Sequence, residues 1–208
     1  AAGQRNPSVE VPDFNSGNGG FSLVAESSAP LLDSLSTSEG RTKLGFAPQV
    51  DSPEARLLDQ IQTYSFRVRP GENASCLNLY QTTLPTILGV PDDLIERGGF
   101  RFVDQRKEDY WKLLTTPRDD GRVPILGDMN TLMFSLHKAP GTFIPVPDSN
   151  TELVVAGMLD GSVLQGVLLM SDSNFRQLFP KQSGFRYFLI GANQTRINSG
   201  SHFSDDEV

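Results

Sequence analysis

The 208-residue chain carries 18 Lys and Arg against 25 Asp and Glu, a formal net charge of -7, with a pI near 4.8 and a mean hydropathy of -0.27. At 38% hydrophobic and 21% charged it has a globular composition, long enough for one large domain or two small subdomains. The acidic balance argues against nucleic acid as the main partner, because phosphate binding needs a basic surface, and less strongly against an anionic membrane surface.

Residues 1–20, "AAGQRNPSVEVPDFNSGNGG", have no apolar period and read as a flexible linker or arm. The missing initiator Met suggests a fragment or a processed chain, and no signal peptide is recognisable. "FSLVAES" is expected as a strand and "APLLDSL" as a short helix or turn. "DSPEARLLDQIQTY" carries the best helix start: Ser52 as N-cap, Pro53 at the first helical position and Glu54 in the first turn. Leu57, Leu58, Ile61 and Tyr64 would form its buried stripe. "YSFRVRP" then alternates Phe66 and Val68 with Arg67 and Arg69, a half-exposed strand. "GEN" marks a turn, and "SCLNLYQ" a return strand.

Further along, "VPILG" reads as a buried strand and "NTLMFSLHK" as a helix with Leu132, Met133 and Leu136 inward, closed by Pro140-Gly141. "GTFIPV" and "ELVVAGML" form a hairpin across "PDSNT". "GVLLMS" is a strand, and "DSNFRQLFP" a short helix with Phe175, Leu178 and Phe179 on one face. "FRYFLIG" is the next strand, so the order predicts a βαβ unit. Residues 21–192 hold the ordered domain, and 193–208 form a polar tail with an acidic end. No 20–50-residue period repeats, and no apolar run approaches the ~18 to 20 residues that span a bilayer.

Chemistry-bearing residues are sparse. The single cysteine, Cys76, excludes an internal disulfide and a Cys-based zinc cluster. Without a neighbouring His it reads as a small buried residue, not a nucleophile. Phosphate-cradling loops, the G-x-S-x-G elbow and H-E-x-x-H are all missing from the sequence. The two histidines are His137, beside Lys138 on an amphipathic segment, and His202, in the polar tail. Asp128 and Asn130, in "VPILGDMN", have the Gly-Asp-x-Asn form of a divalent-metal site in a phosphoesterase. With a helix starting at once, however, either one is a natural N-cap, and capping is the preferred reading. The pairs Asp92-Asp93 and Asp119-Asp120 read as solvated turns, and the sequons at Asn73 and Asn193 are weak pointers to glycosylation. No cofactor is implied.

"LGVPDDLIERGGFRF", "VPILGDMNTLMFSLHKAPG" and "ELVVAGMLDGSVLQGVLLMSDSNFRQLFPKQSGFRYFLIG" resemble, in order and spacing, the extracytoplasmic domain of FtsX-like and MacB-like ABC transporter permeases. The match covers roughly residues 86 to 191. "FSLVAES", "FRVRPGENASCLNLY" and the "YWKLL" around Trp111 extend it to most of the chain. The resemblance implies an α+β fold with a porter-like βαβ layer, assembled from segments near both ends, and a smaller inserted β-rich lobe. It also implies a periplasmic location between membrane helices that lie outside this sequence. ATP hydrolysis would belong to a separate cytoplasmic ATP-binding subunit, leaving no catalytic, cofactor or metal residues here. Further partners would be a second permease copy and a periplasmic protein or substrate. The likeness departs at the end, where "NQTRINSGSHFSDDEV" replaces the family's helix. Two readings of other classes stay open beside it: the phosphoesterase using Asp128 and Asn130, and a secreted adhesion or ligand-binding module.

Overall fold

A computed structural model of the chain describes residues 12–46, 48–49, 52–71, 84–104, 109–147 and 149–193. In chain order these form β1 (Phe21–Leu31), α1 (Ser38–Lys43), α2 (Pro53–Gln60), β2 (Ile61–Arg69), β3 (Thr86–Val90), α3 (Asp92–Arg97) and α4 (Tyr110–Leu113). There follow β4 (Val123–Asp128), a π-helical turn (Asn130–Ser135), β5 (Phe143–Pro145), β6 (Glu152–Leu159), β7 (Val167–Ser171), α5 (Asp172–Leu178) and β8 (Phe185–Ala192). The fold is mixed α and β, built on one eight-stranded sheet in the order β1-β8-β2-β3-β7-β4-β6-β5.

Successive residues of the central strands feed opposite faces, as the pleat requires. Leu88, Leu126 and Leu169 join one buried cluster, whereas Ile87, Ile125, Leu168 and Met170 join a second. With both faces covered, these strands read as continuous apolar runs without alternation. On the first face α3 contributes Leu94 and Ile95, and α4 contributes Trp111 with Leu114 just after it. On the second, α5 contributes Phe175 and the π-helical turn Leu132. Each large side chain removed from water in this way stabilises by roughly 1.5–3 kcal/mol.

The expected βαβ unit is present. β7 runs parallel to β3, β3 antiparallel to β2, and β2 antiparallel to β8. Strands β7 and β8 therefore point the same way, and α5 crosses between them over β2 and β3. Its close approach depends on Gly89 in β3, where an added Cβ would lie 3.0 Å from both Asp172 Oδ1 and Phe175 Cγ. The expected hairpin is present too, with Phe143 opposite Val154 and Pro145 opposite Glu152.

Strand β2 joins the two parts of the sheet. Its residues Ile61–Phe66 pair with β8 and Arg67–Arg69 pair with β3. That double role corrects the expected helix stripe. Ser52 caps α2 as expected, its Oγ accepting the Ala55 N–H at 3.1 Å, but the helix stops at Gln60. Ile61 and Tyr64 belong to the strand, Leu57 is 61% exposed, and α2 buries nothing. The β-branched and aromatic residues of "IQTYSF" favour the pleated surface once β8 offers a ladder.

Three further expectations change. β1 continues through Leu31, so the first half of "APLLDSL" is strand. Residues 12–20, read as the end of a linker, pack onto the fold. Asn18 is 5% exposed, and its Oδ1 accepts from the Asp13 N–H, the Ser16 hydroxyl and the Gly20 N–H. The segment "NTLMFS" is a π-helical turn, with Leu132 buried but Met133 44% and Phe134 68% exposed. The expected strand "SCLNLYQ" lies outside the described residues.

Candidate functional site

Asp128 ends β4 and is fully buried. Its Oδ1 accepts the Asn130 N–H at 2.9 Å and its Oδ2 accepts the Ser162 N–H at 2.8 Å. Thr131 extends the connection, its Oγ1 accepting the Gly166 N–H at 2.8 Å. The carboxylate thus opens the π-helical turn and also ties it to the β6–β7 loop, 34 residues away in sequence. Burial pushes its pKa up and nearby Asp160 adds to the rise, against the N–H groups of Ser162, Asn130 and Thr131. Asp160 itself pairs with Arg101 Nε at 2.7 Å.

The Gly-Asp-x-Asn pair is not brought together. Asp128 points inward with both oxygens engaged by backbone donors, whereas Asn130 is exposed. Among the described residues no group of three or more His, Cys, Asp or Glu is placed to hold a metal. The geometry is that of a cap with a second, long-range tie.

The other singled-out residues are dispersed. His137 is exposed at a left-handed backbone position, φ 53°. Asp92 and Asp93 open α3, and Asp93 Oδ1 accepts the Leu94 N–H at 2.9 Å. Asp120 is held well below the usual carboxylate range, first by Arg118, which donates from Nη2 at 2.8 Å and Nε at 3.1 Å, and then by the backbone and side chain of Arg122. Asn193 donates its backbone N–H to the Gln60 carbonyl at 2.8 Å. Cys76, Asn73 and His202 lie outside the described residues.

A further cluster forms around Arg97, in the basic-aromatic stretch "RGGFRF". Arg97 ends α3, and three consecutive positive φ values follow it: Gly98 at 70°, Gly99 at 95° and Phe100 at 67°. This left-handed turn brings the loop of residues 12–20 over the guanidinium, with the Phe100 N–H donating to the Phe14 carbonyl at 2.8 Å. Arg97 Nη2 donates to the Gly19 carbonyl at 2.8 Å and Nη1 to the Gly98 carbonyl at 3.1 Å. The guanidinium carbon lies 4.4 Å from the Phe21 ring centroid, 4.9 Å from Phe14 and 6.0 Å from Tyr64. Burial pulls its pKa down from the ordinary arginine value and pushes that of Tyr64 up. A cleft of about 350 Å³ opens here, lined by Phe14, Phe21, Gln62, Tyr64, Arg97 and Asn193 among others. The local signals in the sequence are the basic-aromatic character of "RGGFRF" and its glycine pair, which permits such a turn.

No protein-family model matches the chain, and no characterised protein matches it in sequence. Its fold overlaps that of a crystal structure of the extracellular domain of a noncanonic ABC-type transporter, YknZ, from Gram-positive bacteria. The identity is 14%, over 85% of this chain and 88% of that one, with a TM-score of 0.40. An overlap this loose assigns neither a family nor an activity. Among the described residues no helix is long and apolar enough to cross a membrane.

Proposed function

We propose that this chain is the extracytoplasmic domain of an ABC transporter permease of the FtsX/MacB type. It would couple ATP-driven movement of membrane helices to a substrate or partner outside the cytoplasm. One structural observation carries the reading. β1 and β8, the first and last strands described, are antiparallel neighbours, with Phe21 opposite Gly191. The backbone therefore enters and leaves the sheet side by side at one end. A module inserted between two membrane helices needs that geometry, because both connections must return to the same membrane face. The ordered landmarks from "LGVPDD" to "FRYFLIG" support the same reading.

In this reading the domain performs no chemistry of its own. Its partners are a cytoplasmic ATP-binding subunit reached through the membrane helices, a second permease copy, and an extracytoplasmic protein or substrate. Force applied at the paired ends passes into β1, β8 and β2, and β2 carries it into the rest of the sheet. Such a module moves as a rigid body or about a hinge.

The test is topological. In the intact polypeptide, apolar segments of about 20 residues should flank the domain on both sides. A cysteine at the exposed position Leu57, in a Cys76→Ser background, should react with a membrane-impermeant maleimide in intact cells or spheroplasts. Labelling seen only after lysis would place the domain inside the cell and sink the proposal.

A further inference from the structure

We infer that the Arg97 cleft is a binding site for an oxyanion, carboxylate or phosphate, carried on a small apolar or aromatic body. This inference is independent of the transporter reading.

Three observations support it. First, Arg97 has no carboxylate partner among the described residues. Asp93, one turn earlier on its own helix, instead turns Oδ1 to the Leu94 N–H. A guanidinium offers five N–H donors, and two are used by the Gly19 and Gly98 carbonyls. The charge is held in place by the surrounding rings, and no described carboxylate neutralises it. Second, the lining is selective in sign. In a chain of net charge -7, none of the described residues lining the cleft is acidic. Tyr64 and Gln62 also line this space, adding a hydroxyl and a carboxamide to the guanidinium. Third, the shape suits a small ligand. At about 350 Å³ the cleft lies at the lower end of ordinary ligand-site volumes, and its apolar walls are aromatic rings. Phe21 and Tyr64 meet edge to face, with centroids 5.5 Å apart, fixing those walls without filling the opening. A ring or alkyl group would rest on these faces while its anionic group meets Arg97, the arrangement in which a charge-assisted hydrogen bond is strongest.

Calorimetric titration at low ionic strength tests this with three probes: phenyl phosphate, benzoate and neutral benzyl alcohol. The expected result is saturable binding of at least one anion and none of the alcohol. Preference between the two anions identifies the oxyanion. Arg97→Gln should weaken binding roughly ten- to hundredfold, the worth of a hydrogen bond to a charged group. Because Arg97 also holds the Gly19 carbonyl, Tyr64→Phe and Gln62→Ala serve as variants that leave that tie intact. Each should weaken binding several-fold with an unchanged melting temperature. Failure of both anions to saturate by about 10 mM, far weaker than a specific small-molecule site, overturns the proposal. So does equal binding of benzyl alcohol, or full affinity in both the Tyr64 and Gln62 variants.

Discussion

Replacing Asp128 by Ala leaves the backbone donors of Asn130 and Ser162 without acceptors at a position with no solvent exposure. An unsatisfied buried donor costs roughly 1–3 kcal/mol, so two cost about 2–6, and partial water entry brings the expected loss to about 3 kcal/mol. Asp128→Asn keeps one acceptor oxygen and should lose about half as much. Urea unfolding followed by fluorescence of Trp111, the sole tryptophan and 2% exposed, reads the loss as a lower midpoint at constant slope. Acidification adds a sign. Burial raises the folded pKa above the ordinary 3.8, so the folded protein holds this proton to higher pH than the unfolded chain does. The resulting stability is complete below the unfolded value and is lost as pH rises through the folded one. The advantage of wild type over Asp128→Asn should therefore shrink as pH rises through and above the ordinary carboxylate value. An Ala variant within about 0.5 kcal/mol of wild type would refute the two-donor account. An advantage that grows with pH would mean that the N–H groups outweigh burial.

Gly89→Ala should push α5 off β3, destabilising by about 1–3 kcal/mol in thermal or urea unfolding, because the new methyl meets Asp172 and Phe175 at 3.0 Å. Leu132→Ala should cost about 2–5 kcal/mol, whereas Leu57→Ala should fall within about 0.5, since one side chain is fully buried and the other 61% exposed. Ser52→Ala should lose about 0.5–2 kcal/mol of local α2 stability, read as faster amide exchange at Ala55. Global unfolding should change less, because α2 buries no residue.

What was legible in the sequence was local. Ser52, Pro53 and Glu54 identify the start of α2 because a cap is made by residues three apart. "GVLLMS", "DSNFRQLFP" and "FRYFLIG" announce β7, α5 and β8 because burial on both faces, helical spacing and a stopping proline all act within about ten residues. Asp128 as a cap was readable for the same reason. Its second bond, to Ser162, was not, because the donor is 34 residues away and arrives only when β4 and β6 pair in parallel.

Tertiary pairing decided the rest. The stripe Leu57, Leu58, Ile61 and Tyr64 has a helical period, yet β8 takes Ile61–Phe66 into its ladder, and the hydrogen bonds of that long-range pairing outweigh a weak helix propensity. In the sequence Arg97 is only part of a small basic-aromatic stretch, "RGGFRF". It becomes the wall of a cleft only because Phe14 and Phe21, from the chain's first described stretch, and Tyr64, from β2, converge on it. Composition and period thus set which strands and helices this chain can form. Where β1 meets β8, where β2 turns from one partner to the other, and which charges end up buried were settled by packing between residues far apart in sequence.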